Sequence, residues 1–316
     1  MANMRKKAAY LKLHESGKLD RRIEQANSLL AECRICPHKC GVNRLEGELG
    51  LCRTGKKARV ASYGPHFGEE APLVGQHGSG ALFFSGCNLL CVFCQNEEIS
   101  HIDRQGDAAF DAMDSKQLAA IMLGLQKQGC HNINLVTPSH VVPQILSALP
   151  SAIEGGLKVP LVFNSSGYDA AGILKFLDGI VDIYMPDCKF WSREAATRYT
   201  RAKDYPEIMK QAVAEMHRQV GDLQMDENGI AVKGLLIRHL VMPAMVAETE
   251  GIARFLAETI SSDTYINIMD QYRPCFKAED FPEINRPLKR KEFEQAKEAA
   301  EKAGLHRFDE RNWEKM

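Results

Sequence analysis

Three closely spaced cysteines are the residues in this sequence whose types and spacing most clearly indicate chemistry. Cys87, Cys91 and Cys94 fall within the eight residues CNLLCVFC, and cysteine thiolates are the usual ligands of iron–sulfur clusters. A [4Fe–4S] cluster normally needs four such ligands, so three of them would leave one iron open to an outside chelator. A three-cysteine zinc site and three unligated core thiols are the plainer alternatives. The spacing favours the cluster.

An open iron of this kind can bind the amino and carboxylate groups of S-adenosylmethionine (SAM). One electron would then cleave SAM into methionine and a 5′-deoxyadenosyl radical, and the radical would take a hydrogen atom from a substrate. The cofactors carry the difficult chemistry in such a reaction, while the protein orients them and excludes water. The three cysteines are therefore expected to be cluster ligands and catalytic residues.

A regular alternation of strands and helices begins directly before these cysteines. The apolar run 81–85 (ALFFS) has the composition of a buried strand. Five further predicted strands follow, with predicted helices between them: 133–136, 160–163, 181–185, 234–240 and 265–269. Such an alternation predicts parallel βαβ units. The carboxyl ends of the strands build the site in open α/β sheets and in barrels alike, and periodicity alone does not separate the two folds.

The flanks of this alternation have a different character. Residues 19–32 show helical spacing, whereas residues 53–80 are rich in glycine and proline, which predicts irregular structure. Residues 289–304 form a charged segment with strong helical character. One barrel-sized domain with a small appendage fits the length of 316 residues.

The segment GPHFGEEAPLVGQHGSGALFFSGCNLLCVFCQN (64–96) resembles the radical SAM superfamily, and within it the PflX-like branch related to pyruvate formate-lyase activating enzyme. The resemblance covers residues 30–285. It implies an α/β fold in which residues 81–285 form a partial (β/α)6 barrel of the TIM type, with the cluster in the loop after the first strand. Residues 1–80 would form an N-terminal helix and cysteine-rich extension, and residues 286–316 a C-terminal helical tail.

Residues near the ends of the predicted strands match positions at which the superfamily binds SAM. Phe93, just before the third cysteine, matches an aromatic residue near the adenine. Thr137, in NLVTPSHVV, stands where the superfamily has a Gly-Gly-Glu-type segment for the SAM amino group, so the sequence departs from that pattern. Asn164 and Ser165, in FNSSGYD, match positions that contact the ribose or a monovalent cation. For the last three residues a turn is the structural alternative.

Three further strand ends complete the SAM site that the resemblance implies. Asp187 and Lys189, in YMPDCKF, resemble the Met-x-Asp-x-Lys of glycyl radical activases and point to the same side of the strand. A carboxylate suits the ribose or a cation and an ammonium suits the SAM carboxylate, although an exposed ion pair would give the same pattern. Arg238, in LLIRHLVMP, matches an arginine that can bind the SAM carboxylate. Gln271, in IMDQYRP, would face the adenosine or the substrate.

A second group of four cysteines precedes the strands. Its members lie in CRICPHKCGVNRLEGELGLC, and they are Cys33, Cys36, Cys40 and Cys52. Four cysteines at this spacing suit a closed zinc site or a second iron–sulfur cluster, and a metal-free segment is the alternative. Zinc would be a structural staple, whereas a cluster could relay electrons or bind substrate. Between these we favour a structural site.

Composition narrows the class of protein. Forty basic and 41 acidic residues give a formal charge of −1, so no global field attracts nucleic acid or an anionic membrane. The sequence shows neither a membrane-spanning apolar run nor a signal peptide, which predicts a cytoplasmic protein. In a reducing cytosol clustered cysteines indicate metal rather than disulfides. Isolated cysteines are expected to be buried apolar residues, namely Cys130, Cys188 and Cys275.

These observations favour an iron- and SAM-dependent enzyme, of the oxidoreductase or lyase type, that generates a 5′-deoxyadenosyl radical. By resemblance its substrate could be a glycyl radical enzyme that it activates. Radical modification of a peptide or a small molecule is the alternative, and a non-catalytic electron-transfer or metal-binding module is an alternative of another class. The enzyme would need an electron donor such as flavodoxin or ferredoxin.

Overall fold

A computed structural model describes residues 8–102 and 110–309 of the chain. The outermost residues of the expected extension and tail, 1–7 and 310–316, lie outside the described residues. The described strands are β1 (Ala58–His66), β2 (Ser79–Phe84), β3 (Asp111–Met113), β4 (Ile133–Val136), β5 (Leu161–Ser165), β6 (Ile183–Pro186), β7 (Gln224–Met225), β8 (Ala231–Leu240), β9 (Tyr265–Met269) and β10 (Arg307–Phe308). The described helices are α1 (Ala9–Glu15), α2 (Lys18–Ser28), α3 (Ala71–Val74), α4 (Glu97–Ser100), α5 (Ser115–Lys127), α6 (Val142–Glu154), α7 (Ala171–Leu174), α8 (Arg193–Tyr199), α9 (Tyr205–Val220), α10 (Thr249–Phe255) and α11 (Arg290–Lys302).

One sheet contains most of these strands. Its order is β10-β9-β8-β6-β5-β4-β2-β1-β3, and β7 pairs with β8. The six strands that the sequence predicted are β2, β4, β5, β6, β8 and β9, and each is parallel to its neighbours within this set. Their carboxyl ends therefore meet along one edge of the sheet. The prediction of an α/β fold around a parallel sheet is confirmed.

The helices between the strands form where apolar residues recur with helical spacing. The helix α5 begins at a capping box, in which the Asp114 carboxylate accepts a hydrogen bond from the Gln117 backbone and the Gln117 side chain accepts one from the Asp114 backbone. Such a box satisfies two backbone donors that the first helical turn leaves unpaired. Within residues 8–102 and 110–309, every helix falls short of the length and apolarity that a bilayer span requires.

The prediction of irregular structure for residues 53–80 is wrong in part, because β1 lies within this segment. The strand pairs antiparallel with β2, from Val60 opposite Phe84 to His66 opposite Ser79. Burial alternates only in its first residues, and the glycine and proline of the second half hide the strand pattern. The hydrogen bonds that β2 supplies stabilise a strand whose own sequence is a poor strand former.

The two faces of the parallel strands have different surroundings. Leu161 and Phe163 belong to the main apolar core, whereas Val162 between them belongs to a smaller separate cluster with Ile183 and Leu236. Neighbours along a strand point to opposite faces, so this smaller cluster marks the inner face of the sheet, away from the main core. Toward the carboxyl ends the same face continues with polar side chains, and these define the candidate site.

The segment between β1 and β2 is tied to the C-terminal end of the described chain. The backbone N–H of Ala71 donates to Asp309 Oδ2 at 2.9 Å. The Asn267 side chain on β9 donates to Glu70 Oε1, also at 2.9 Å. Glu69 and Glu70 are thereby held against the inner face of the sheet, where both side chains are buried.

Candidate functional site

A cavity of about 300 Å³ lies at the carboxyl ends of the parallel strands. Its volume is at the lower end of the range for small-molecule sites. Each residue that the sequence assigned to the three-cysteine cluster or to SAM lines it: Cys87, Cys91, Phe93, Cys94, Thr137, Asn164, Ser165, Asp187, Lys189, Arg238 and Gln271. The structure therefore brings together residues that lie up to 184 positions apart in the chain (271 minus 87).

The loop after β2 presents the three cysteines to this cavity. Gly86 has φ +85°, and a Cβ at this position would lie 2.3 Å from the Cys52 carbonyl oxygen. Only glycine fits this close approach, so the four-cysteine segment packs directly against the start of the loop. The buried side chain of Asn88 donates to the Tyr168 carbonyl oxygen at 2.7 Å. The loop is therefore fixed by contacts on both sides.

The three thiols lie in a setting that suits ligands of a cluster. The backbone N–H of Leu89 donates to Cys87 Sγ at 3.3 Å, and the Ser100 hydroxyl lies 3.2 Å from Cys94 Sγ. Burial raises the pKa of the Cys91 thiol, Lys189 opposes this rise, and the other two thiols add to it. Thiolates at this position therefore require a metal partner, since metal binding removes the thiol proton.

Arg238 is the centre of a partly buried polar network in the cavity wall. Its Nε donates to Asp187 Oδ1 at 2.8 Å, and its Nη2 donates to Asn164 Oδ1 at 2.7 Å. Lys189 Nζ donates to Asp187 Oδ2 at 2.6 Å. Burial alone would raise the pKa of Asp187, but Arg238 and Lys189 outweigh it and the net shift is downward. Asp187 is therefore an ionised carboxylate between two cations.

Two acidic residues that the sequence reasoning did not single out complete this network. Glu69 Oε2 lies 3.7 Å from Arg238 Nη1. Glu70 accepts from Asn267, and burial raises the pKa of its carboxyl group despite the opposing charge of Arg238. The second oxygen of Glu70 has no hydrogen-bond partner among the described residues. The adjacent acids in GEEAP were the available signal, but nothing in the sequence places them beside a residue 168 positions away (238 minus 70).

The remaining assigned residues differ in how freely they face the cavity. Thr137 has φ +58°, and its backbone N–H donates to the Asn164 carbonyl oxygen at 2.9 Å. A positive φ is strained for a β-branched residue. The Ser165 hydroxyl donates to Asp169 Oδ2 at 2.6 Å, and burial raises the pKa of Asp169 to about 6. Phe93 is buried between Phe190 and Tyr272.

The four-cysteine segment surrounds a buried arginine. Cys33, Cys36 and Cys52 are buried and Cys40 is exposed. The Arg44 guanidinium donates to Cys52 Sγ at 3.4 Å. Burial, together with the nearby Cys52 and Cys33, raises the pKa of the Cys36 thiol to about 12. Burial also raises the pKa of the Cys33 thiol, and Cys40 and Cys52 add to this rise. Across the described residues, however, no three His, Cys, Asp or Glu side chains are arranged closely enough to hold a single metal ion.

The isolated cysteines do not share one environment. Cys130 and Cys188 are buried, as expected, whereas Cys275 is half-buried. Cys275 lines a second cavity, of about 690 Å³, together with Arg273 and Phe276. Both cavities are lined in part by the same four residues: Phe83, Gln95, Asn96 and Ile99. The second cavity therefore adjoins the first.

Comparisons with known proteins identify a relative. No protein-family model matches the sequence. The chain is 35% identical over 290 residues to an uncharacterized protein of Methanocaldococcus jannaschii. The matched region covers 91% of this chain and 79% of that protein. The chain belongs to the family of that protein.

Solved structures show a weaker similarity to this family member. QueE from Escherichia coli has a TM-score of 0.41 and 14% identity, over 67% of this chain and 83% of QueE. HydG, a maturase of the [FeFe]-hydrogenase, has a TM-score of 0.46 and 14% identity, over 69% of this chain and 47% of HydG. Similarities at this level carry no information on function.

Proposed function

We propose that this protein is a radical SAM enzyme, which cleaves SAM reductively and uses the 5′-deoxyadenosyl radical to abstract hydrogen from a substrate. The observation that carries the proposal is the single cavity lined by the three cysteines and by all eight residues that the resemblance assigned to SAM. Unrelated core thiols and surface ion pairs would have no reason to meet there.

The residues of the cavity fit a cluster with one open iron. Cys87, Cys91 and Cys94 are the three cysteines among the lining residues. When bound there, the cluster and SAM would supply the electron and the radical. The protein's own contribution is to hold the thiols in a fixed loop, in which Cys91 is buried and Cys87 and Cys94 are half-buried. Lys189 adds a positive charge that acts on Cys91.

The polar network divides the expected SAM contacts between two cations. Lys189 has one charged partner, Asp187, and its charge reaches Cys91, so we assign it to the SAM carboxylate. Arg238 is bonded to both Asp187 and Asn164, so we assign it to holding their oxygens toward the ribose. Thr137 would accept a hydrogen bond from the SAM amino group. These assignments use each group in a charge state that its neighbours favour.

Phe93 and Gln271 are the residues we assign to the adenine. The Phe93 ring packs edge-on against Phe190, with ring centroids 5.9 Å apart. Gln271 lines the cavity and its carbonyl oxygen accepts from Gln95. Ser165 is already bonded to Asp169, so we assign it to shaping the cavity wall at the ribose position.

We infer further that the sheet curves into a partial (β/α)6 barrel, preceded by a cysteine-rich extension. Residues of β2 and β9, Phe83 and Met269, line the same cavity. Five strand spacings separate β2 from β9 in the sheet, which would place them about 24 Å apart if the sheet were flat. Curvature brings both edges to one site.

A polypeptide is the substrate that the second cavity favours, and a glycyl radical enzyme is one such polypeptide. This cavity adjoins the cofactor cavity and is larger than it. Phe276 on its wall is 36% exposed, and Arg273, Glu97 and Glu98 surround it with charges of both signs. Phe83 and Ile99 also line this cavity, and a cavity with several apolar lining residues and charges of both signs suits a polypeptide segment. We expect the reaction to take place in the cytoplasm, with an electron from flavodoxin or ferredoxin.

The test is to reconstitute the protein anaerobically with iron and sulfide, and then to add SAM and dithionite. The wild type should release 5′-deoxyadenosine, and Cys91→Ala should release none. Cys130→Ala is the matched control, because Cys130 is buried outside the cavity, and it should behave as the wild type. No 5′-deoxyadenosine from the wild type, or equal amounts from Cys91→Ala, would show that the protein is not a radical SAM enzyme.

A further inference from the structure

Arg44 is a buried cation without an acidic partner in the part of the chain that the structure describes. Its side chain is 1% exposed. Nη1 donates to the His140 carbonyl oxygen at 2.8 Å, Nη2 donates to Cys52 Sγ at 3.4 Å, and Nε has no partner. A guanidinium is always charged in proteins, and a buried charge that nothing opposes is strongly destabilising.

Two acidic residues in or beside this segment bind elsewhere. The Glu48 carboxylate accepts from the backbone N–H of Asn43 at 2.7 Å. Glu32 is paired with the exposed Arg34. Arg44 donates to Cys52 and acts electrostatically on Cys33 and Cys36, and neutral thiols carry no charge. The structure therefore places a fixed positive charge beside thiols, which become negative when they bind a metal.

We propose that Cys33, Cys36, Cys40 and Cys52 hold a metal centre as four thiolates, and that Arg44 balances the negative charge of this centre. Each thiol gives up its proton to solvent when it binds. Four thiolates around a divalent ion leave two negative charges, and a four-iron cluster with four thiolates is also anionic. Either centre supplies the counter-charge that Arg44 lacks.

The backbone of the segment leaves room for such a centre. The Cys33 carbonyl oxygen accepts from the backbone N–H of Gly41, and the Cys33 N–H donates to the Val42 carbonyl oxygen. These bonds fold the chain back, so that the residues after Cys40 lie beside Cys33. A Cβ on Gly50 would lie 2.6 Å from Cys40 Sγ. Glycine at this position therefore keeps space for the Cys40 thiol. Among the described residues no three of these side chains are close enough to hold one ion, so metal binding requires the thiols to turn toward one another, and the exposed Cys40 has the space to do so.

The proposed centre is in direct contact with the loop of the three-cysteine cluster. The Cys52 carbonyl oxygen packs on Gly86, which directly precedes Cys87. His140 links the two parts, because its carbonyl oxygen accepts from Arg44 and its Nε2 lies 3.0 Å from the Ser85 carbonyl oxygen. Loss of the centre should therefore disturb the loop even if the metal is purely structural.

The direct experiment measures metal in the full-length chain with Cys87, Cys91 and Cys94 all changed to alanine. After anaerobic reconstitution in separate portions with zinc, or with iron and sulfide, we expect about one zinc ion or about four iron and four sulfide ions per chain. Either result supports the centre and identifies its metal. A folded chain, judged by circular dichroism, that retains no metal would overturn the proposal.

A second variant covers the case in which the triple variant does not fold. Cys36→Ala with Cys52→Ala in the otherwise wild-type chain should lose the zinc, or about half of the iron, and keep the iron held by the other group. Cys130→Ala with Cys188→Ala is the matched control, since both are buried cysteines outside the two groups, and it should keep all metal. Unchanged metal content in the Cys36→Ala and Cys52→Ala variant would overturn the proposal. These readouts do not depend on SAM cleavage, so this proposal and the proposed function can fail separately.

The role of Arg44 has its own measurement, which is the rate of metal release to a chelator from the triple variant. Residues that support metal ligands typically change affinity about 10–100-fold when they are replaced. Arg44→Met should release metal faster by about this factor, and Arg44→Lys should lie closer to the wild type because it keeps the charge. Equal release from all three proteins would overturn the role of the charge.

Discussion

Two arginines, Arg44 fully buried and Arg238 half-buried, lie near two groups of cysteines, and their partners differ. Arg238 contacts an ionised aspartate, an asparagine and a glutamate. Arg44 contacts a carbonyl oxygen and a thiol. The cavity around Arg238 is therefore electrostatically balanced within the protein itself, whereas Arg44 has no acidic partner in the part of the chain that the structure describes. The proposed metal centre would supply the negative charge that the second region lacks.

The largest expected loss in the free energy of unfolding comes from Arg238→Met, which removes the cation that pairs with Asp187 and Glu69. Removal of one member of a buried ion pair typically costs about 3–5 kcal/mol, because Asp187 would remain buried with Lys189 as its one charged partner. Urea unfolding of the metal-free protein measures the loss. Arg198→Met is the matched control, since Arg198 pairs with Glu283 at the surface, where solvent screens the pair, and its loss should cost much less than that of Arg238. Equal losses in the two variants would contradict the balanced network.

Gly86→Ala tests the contact between the two regions. Alanine would take a strained φ and place its Cβ against the Cys52 carbonyl oxygen, which should lower the free energy of unfolding by about 2–3 kcal/mol. Iron content of the reconstituted protein should fall as well. As a control, Gly124→Ala lies in α5 with open space at its Cβ position and should stabilise the chain by about 1 kcal/mol. A neutral Gly86→Ala would mean that the two regions are not coupled.

One buried histidine in each region predicts a loss of stability in mild acid. Burial lowers the pKa of His140 and of His239 to about 4, below the unfolded value of about 6.5. Their contribution to stability is therefore present above pH 6.5 and is lost as the pH falls toward 4. Between pH 7 and pH 5 each should cost on the order of 1–2 kcal/mol, measured as the change in unfolding free energy.

The matched variants are His140→Gln and His239→Gln, each of which should make the stability less dependent on pH over this range. His239 has partners on both ring nitrogens, the Cys188 carbonyl oxygen and the Thr249 hydroxyl. His140 Nδ1 has no partner among the described residues. His239→Gln should therefore lose more stability at pH 7 than His140→Gln, and the reverse order would contradict this interpretation.

The smallest change in the free energy of unfolding is expected for Arg44→Met in the metal-free protein. This variant tests directly whether the protein itself balances the charge of Arg44. Replacing an unbalanced buried charge by an apolar side chain of similar volume is often neutral or stabilising. The unfolding free energy should therefore stay within about 1 kcal/mol of the wild type or rise. A loss as large as that of Arg238→Met would mean that the protein itself already balances Arg44.

The sequence predicted the parts of the site that depend on local pattern. Apolar runs identified the six parallel strands, and the position of Asp187, Lys189 and Arg238 at strand ends followed from those runs together with the resemblance. The strand β1 was missed because its glycine and proline break the pattern on which such predictions depend. Thr137 was assigned to the cavity, but its positive φ has no signal in the residues around it.

Partners that come together across long stretches of chain were beyond prediction. Glu69 and Glu70 were visible as a pair of acids, yet the sequence does not indicate that they contact Arg238 and Asn267. Arg44 was one basic residue among many in a cysteine-rich segment, and only burial distinguishes it. Long-range contacts depend on how the strands are ordered in the sheet, and residue types alone do not specify that order.

The bonds from the segment between β1 and β2 to Asn267 and Asp309 have a consequence for synthesis on the ribosome. Glu70 emerges 197 residues before Asn267, and Ala71 emerges 238 residues before Asp309. The buried contacts of Glu70 therefore stay unformed until the strands β9 and β10 have left the exit tunnel. A nascent chain that stops short of β9 would present the cysteines before Glu70 is bonded to Asn267, so loading of the proposed cluster is expected only after β9 has been synthesised.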